Sequence, residues 1–292
     1  MNKPVIACFG FGPIGVAIVE RLLAAGYPVH IWNRTPERVV ALMAQGAQLS
    51  ASIEENIRAA DIILSSLPNA SAIQEVLLEV HWAHELEERT VIQLGHLNPQ
   101  RSCAIMDACQ AHGAQYIEAP LMGNVSDAAS GQLQALVGAT QKQYQRVKPL
   151  LAEFAREAQY IGEVGQASAM KLAFTQLTAL LLCGLSSSLG LLQANAASSE
   201  QFMALLRSSN CYAPLFDQKL ERLLKRDYDS PELSVKNLLQ ELNLLTEALE
   251  SESINAPFME SVQDVLYLAL AKGYTHSDFS ALHDVVFTPR EQ

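Results

Sequence analysis

Val5-Ile6-Ala7-Cys8-Phe9-Gly10-Phe11-Gly12-Pro13-Ile14-Gly15 is the stretch that decides how this chain is read. Val5 to Phe9 is an apolar run of strand length, and behind the glycines Ile14, Ala17, Ile18, Leu22 and Ala25 recur at helical spacing. In such a turn the first glycine permits a tight bend. The second lets the backbone approach a pyrophosphate, and the third lets helix and strand pack closely. The unsatisfied N–H groups and positive end of the helix attract phosphates. Strand before and helix after is the context in which G-x-G-x-x-G signals a dinucleotide. Gly10, Phe11, Gly12, Pro13, Ile14 and Gly15 are therefore the candidate phosphate-binding turn.

Outward from this turn the chain alternates. Strands are expected at Val29–Trp32, Ile62–Leu67, Thr90–Leu94, Gln115–Glu118, Gln134–Val137 and Gln159–Ile161. Between them fall helices at Pro36–Gln45, Ser52–Ala59, Ser71–Val80, Pro99–His112 and Thr140–Ala155. Such alternation predicts a parallel, doubly wound sheet. After Gly162 the pattern changes. Ala167–Ala194 reads as one long, mostly apolar helix. Ser199–Arg207, Pro214–Lys225, Ser234–Ser251, Pro257–Lys272 and Phe279–Phe287 follow at helical spacing, with no strand among them. The expected fold is an α/β N-terminal Rossmann domain, residues 1–163, and an all-α C-terminal domain, residues 164–292, entered through a long central helix.

Composition narrows the function classes. Apolar residues make up 49% of the chain and charged residues 17%, and the net charge is −11. An acidic chain is a poor ligand for nucleic acid, where phosphate neutralisation dominates affinity, and for anionic membranes. The apolar stretch Leu177–Leu192 contains Ser186, Ser187 and Ser188 and is shorter than the ~20 residues of a membrane span. It reads as a buried helix that supports a homodimer or homotetramer through the helical domain. The five cysteines form no C-x-x-C pair, and buried reduced thiols are expected. Their odd number and an N-terminus that enters a strand at once lead us to expect a cytoplasmic protein.

The end of the second strand selects the nucleotide in this type of fold. A carboxylate there binds the ribose of NAD, and an arginine accommodates the 2′-phosphate of NADP. Here the sequence is Trp32-Asn33-Arg34-Thr35, with no carboxylate at the tip. Arg34 suits stacking on adenine and pairing with phosphate, and Asn33 and Thr35 suit phosphate oxygens. NADP is the expected cofactor; the plainer reading of Arg34 is a solvated turn residue.

Hydride transfer also needs a proton donor or acceptor. Lys171 is the one cation in the apolar run Ala169–Leu185. A partly buried ammonium suits acid–base work, whereas a lysine at a helix start can also snorkel to solvent.

These motifs resemble the β-hydroxyacid dehydrogenases, the superfamily of 3-hydroxyisobutyrate and 6-phosphogluconate dehydrogenases, with imine reductases as more distant members. Asn33-Arg34-Thr35 resembles its N-R-T, and Leu67-Pro68-Asn69 its loop near the nicotinamide ribose. Glu118-Ala119-Pro120-Leu121-Met122-Gly123-Asn124 resembles the D-A-P-V-S-G-G substrate loop. Gly162-x-x-Gly165 with Lys171 resembles the G-x-x-G-x-G-x-x-x-K element, and Lys236-Asn237-Leu238 resembles K-D-L. Gly273-Tyr274 and Asp278-Phe279-Ser280 are similar to the closing motif. The resemblance implies Lys171 as general acid/base. It implies Lys236 near nicotinamide and substrate, and Leu67, Pro68 and His96 in loops that meet the cofactor.

The departures fall on the substrate side. Met122 replaces a serine and offers no donor, while Asn124 replaces a glycine and is a candidate to supply part of an anion site. Thr175 stands where the family has an asparagine, and His96 where it has a threonine. Gly123 is retained. His96 is also a candidate proton donor, or simply a loop histidine with its hydrogen bonds satisfied.

The reading is an NADP-dependent oxidoreductase acting on a small hydroxyacid or aldehyde, with its active site in the cleft between the domains. An imine-reductase-like enzyme with a more apolar pocket is the first alternative, and an NADP-binding regulatory protein without turnover the second. His81-x-x-His84 lacks a third ligand nearby, and no metal site is expected. Tyr212 and its neighbours fit a pocket wall or core packing equally.

Overall fold

The computed structural model describes residues 3–287. The strands are β1 (Ile6–Phe9), β2 (Val29–Ile31), β3 (Gln48–Leu49), β4 (Ile62–Ser65), β5 (Thr90–Gln93), β6 (Gln115–Glu118), β7 (Leu121–Met122), β8 (Leu133–Gly138) and β9 (Ala155–Gly162). The helices among them are α1 (Pro13–Ala24), α2 (Val40–Ala44), α3 (Ile53–Arg58), α4 (Ala70–Leu77), α5 (Pro99–Ala111), α6 (Val125–Ser130) and α7 (Gln141–Leu151). Then come α8 (Gln166–Ala194), α9 (Ser199–Arg207), α10 (Pro214–Lys225), α11 (Val235–Ser251), α12 (Phe258–Ala271) and α13 (His283–Val286).

The strands form one sheet in the order β3-β2-β1-β4-β5-β6-β8-β7, with β9 beside β8. Every residue of β1, β4 and β5 is buried. That is why these strands read as continuous apolar runs rather than alternating ones: helices cover both faces. One face packs Ile18, Leu22, Val147, Leu151 and Phe154. The other packs Ile57, Ile73, Leu77, Ile105 and Tyr116.

The sheet is parallel through β6, as the alternation predicts, and mixed beyond it. β3 to β6 are parallel, but β8 runs antiparallel to both β6 and β7. A parallel return needs a crossover of a dozen or more residues, usually helical. The link from Ala119 to Gln132 is instead spent on the two-residue β7 and the six-residue α6. Three short elements, β3, β7 and α6, were not foreseen.

The helix expected over Pro36–Gln45 is also interrupted. A 3-10 turn, Pro36–Val39, precedes α2, and Val39 leaves helical geometry (φ −116°, ψ 7°) with its side chain fully buried. His81 and His84 lie beyond the end of α4, with His84 in the 3-10 turn Ala83–Leu86. Among the described residues no group of three or more His, Cys, Asp or Glu side chains is placed to hold a metal ion.

The chain divides into two compact units between Lys171 and Leu172, inside α8. The second unit is helical and packs Leu182, Leu189, Leu223, Leu238, Leu242 and Leu266 into its own core. At 29 residues, α8 is long and apolar enough to cross a membrane by length and composition, contrary to the expectation from Leu177–Leu192; a third of its most apolar window is buried. Ser187 and Ser188 return their hydroxyls to the Gly184 carbonyl, the usual resolution for serine inside a helix. All five cysteines are free, but Cys211 is exposed, against the expectation that all are buried.

Candidate dinucleotide and acid–base site

The glycine turn sits at the carboxyl end of β1. Gly10 has φ +88°, and a Cβ there would stand 2.5 Å from the Ser66 carbonyl, beyond the end of β4. A Cβ on Gly15 would stand 2.2 Å from the Gly10 carbonyl oxygen. Both glycines are therefore demanded by the fold itself. Gly12 is different: its φ is −67°, and a Cβ there would meet nothing within 4 Å. It is the N-cap of α1, and no side chain caps that helix. An open space over uncapped N–H groups fits the pyrophosphate of a dinucleotide, so these residues suit the implied cofactor. Phe11, Pro13 and Ile14 complete the turn.

The neighbouring loops converge on the same edge. The Gln93 amide at the end of β5 donates to the Leu67 carbonyl at 3.3 Å. Leu67, Pro68 and His96 thus lie in adjacent loops beyond β4 and β5. Leu67 is buried, Pro68 exposed and His96 half-buried.

At the tip of β2, the Asn33 side chain accepts the Thr35 N–H at 2.9 Å in an Asx turn. Thr35 begins the 3-10 turn. Arg34 is exposed, and its guanidinium donates to Glu75 on α4 at 2.5 Å. A carboxylate from another element thus pairs with Arg34 beside the tip of β2.

Lys171 lies on the first turns of α8, and the start of that helix is held by Glu118. The Glu118 side chain is buried at the carboxyl end of β6. Its Oε1 accepts the N–H groups of Gly165, Ala167 and Ser168 at 2.7, 2.9 and 3.2 Å. Its Oε2 accepts the hydroxyls of Ser102 and Ser168, each at 2.6 Å. A carboxylate at a helix N-terminus is favoured by the dipole as well as by these bonds. In the sequence Glu118 stands out only as part of a motif; its partners lie 16 to 50 residues away and leave no local signal. Lys171 itself is half-buried. Nearby, the Cys103 thiol donates to the Val164 carbonyl at 3.6 Å. Burial, then the carboxylates of Glu118 and Asp107, push its pKa up, which disfavours the thiolate.

The loop after β6 leads into α6. The Asn124 carbonyl oxygen accepts the N–H groups of Ser126 and Asp127 at 2.8 and 3.1 Å, and Asp127 returns a bond to the Asn124 N–H. This is a capping box for α6. The Asn124 oxygen is therefore committed to helix capping. Met122 ends β7 half-buried, and Gly123 is exposed.

In the helical unit, Thr175 is buried on α8, one turn beyond Lys171. Its hydroxyl donates to the buried carboxylate of Glu241 at 2.5 Å. Glu241 was missed because nothing in α11 distinguishes it from its exposed acidic neighbours. Lys236 is exposed on the first turn of the same helix. Tyr212 stacks edge-on against Phe216 and donates to Asp217 at 2.8 Å. The closing motif is structural within this unit: Asp278 accepts from Lys219 at 3.2 Å and from the Ser280 hydroxyl and N–H at 2.6 and 3.0 Å. Burial alone would raise the Asp278 pKa, but the Ser280 bonds and the Lys219 charge hold it below the usual range.

Comparison with known proteins agrees with this architecture. NAD-dependent L-serine dehydrogenase of Pseudomonas aeruginosa is 25% identical over 98% of this chain and 98% of its own. The structure of Mycobacterium tuberculosis 3-hydroxyisobutyrate dehydrogenase with L-serine superposes with a TM-score of 0.91 over 98% of this chain and all of that one, at 19% identity. An imine reductase from Myxococcus stipitatus with NADP+ superposes with a TM-score of 0.64 over 97% of this chain and all of that one, at 20% identity. Residues 5–162, more than half of the chain, match the family of the NAD binding domain of 6-phosphogluconate dehydrogenase. The chain belongs to that family, within the β-hydroxyacid dehydrogenase superfamily.

Proposed function

We propose that this protein is an NADP-dependent oxidoreductase that transfers a hydride between nicotinamide and a small hydroxyacid or aldehyde, with Lys171 as general acid/base. One observation carries the reading. Glu118 locks the first turn of α8, and with it Lys171, to the same sheet edge on which the glycine turn and the Leu67 and His96 loops converge. The nicotinamide, when bound, supplies or accepts the hydride. Gly12 and the start of α1 hold the pyrophosphate, and Asn33, Arg34 and Thr35 face the ribose. Lys171 gives a proton to the carbonyl oxygen in reduction and takes it back in oxidation. A base held on a rigid helix keeps its geometry without reorganisation.

The preference for NADP over NAD rests on Arg34, and the named cofactor of the serine dehydrogenase relative makes a direct binding comparison essential. Lys171→Ala removes turnover while NADPH binding, read by nicotinamide fluorescence, stays within about twofold. Retained turnover in that variant refutes the assignment.

Met122, which brings no donor, favours an imine-reducing enzyme as the second reading. A panel of cyclic imines against hydroxyacids and short aldehydes separates the two. Tight NADPH binding with no oxidation across the panel would point to a regulatory protein.

Self-association through α8 belongs to the same proposal. Phe174, Leu177 and Leu191 are exposed on α8 at 47, 57 and 68%. Leu177→Glu should lower the mass measured by light scattering to that of one chain; an unchanged mass removes this face from the interface.

A further inference from the structure

Arg34 is already engaged at the tip of β2. Its Nη2 lies 2.5 Å from Oε1 of Glu75, and the two side chains are 75% and 67% exposed. Such an exposed pair contributes little to stability. Its consequence is for binding. The Nη2 donor turned toward Glu75 is spent, and a 2′-phosphate brought to the same guanidinium would stand about 5 Å from the carboxylate, two hydrogen-bond lengths away. Like charges at that distance repel even in water. A ribose 2′-hydroxyl is neutral and escapes the repulsion.

We propose that Glu75 is a specificity-determining residue that opposes Arg34: it competes with the 2′-phosphate for the guanidinium and narrows the preference for NADP(H) over NAD(H). The inference rests on the reading that Arg34 meets the 2′ position. It adds a residue from α4, outside the glycine turn and the strand tip, to the determinants of cofactor choice.

The test uses the full chain in four forms: unmodified, Glu75→Gln, Arg34→Ala and the double variant. Dissociation constants for NADPH and NADH are read from nicotinamide fluorescence and need no substrate. Glu75→Gln should tighten NADPH binding about three- to tenfold and leave NADH within about twofold. The gain should shrink in the Arg34→Ala background, where the competition is gone. Raising the salt concentration should reduce it as well, because both groups are exposed.

If Glu75→Gln leaves the NADPH-to-NADH affinity ratio within about twofold while Arg34→Ala lowers it, the proposal fails and the cofactor reading stands. If Arg34→Ala also leaves the ratio unchanged, Arg34 does not meet the 2′ position and both fail. Absence of binding by both nucleotides overturns both as well.

Discussion

Removing the Glu118 carboxylate should loosen the start of α8 more than any other single change near the candidate site. Its five bonds are unequal. In Glu118→Ala the Ser102 hydroxyl can turn to the Tyr116 hydroxyl, 3.2 Å away, and the Ser168 hydroxyl can rotate to a helix carbonyl. The N–H groups of Gly165, Ala167 and Ser168 have no such recourse. At ~1–3 kcal/mol for each buried donor left unsatisfied, the loss spans about 3–9 kcal/mol. Water entering the vacated space holds it toward the lower end, about 3–4 kcal/mol. Glu118→Gln keeps the shape and an acceptor for the three N–H groups, while its new NH₂ faces hydroxyls that can accept. Only charge assistance and the dipole term are lost, about 1–2 kcal/mol. Denaturant unfolding measures both variants, and hydrogen exchange at residues 165–168 reports where the loss falls. The turnover of Glu118→Ala should drop more than its NADPH affinity, because the glycine turn is untouched. A loss under ~1 kcal/mol in Glu118→Ala, with unchanged exchange at 165–168, would refute the clamp.

Two other perturbations separate fold from function. Gly10→Ala combines positive φ with a 2.5 Å approach to Ser66 and should cost at least ~2 kcal/mol. Gly12→Ala enters open space, so its melting temperature should hold while NADPH affinity falls about tenfold or more; similar melting losses for both would contradict this division. Lys219→Met removes the cation facing the buried carboxylate of Asp278, which keeps its Ser280 bonds, and should cost about 3 kcal/mol in thermal or denaturant unfolding at neutral pH. The Asp278 pKa is depressed in the folded chain, so its contribution is present above the ordinary aspartate value, ~3.9, and lost as pH falls through the folded value. The acid-unfolding midpoint of Lys219→Met should therefore move upward; an unmoved midpoint would count against the pair.

Much of the architecture was legible in residue order because its signals are local. Apolar runs mark β1, β4 and β5, helical spacing marks α1 and α8 to α12, and the glycines mark the turn between β1 and α1. The reversal at β8 was not legible, because strand direction depends on where a connection can travel and not on the strand's own residues. The two-residue β3 and β7 are too short for a period to show.

The candidate site divides in the same way. Gly12, Arg34 and Lys171 could be nominated from type, spacing and neighbours, because a phosphate turn and a lone lysine in an apolar helix carry their chemistry locally. Glu118, Glu75 and Glu241 could not. Each is one acidic residue among 31 in the chain, and its meaning comes from a partner brought near by folding. The capping bonds of Asn124 were hidden for the same reason: its side chain closes onto α6, a helix too short to announce itself. Residue order alone places a G-x-G-x-x-G turn near the start of the chain and a lysine in a long apolar helix. Which carboxylate anchors that helix, and which one faces the arginine, is settled by folding, because hydrogen bonds between distant residues depend on positions that no local pattern encodes.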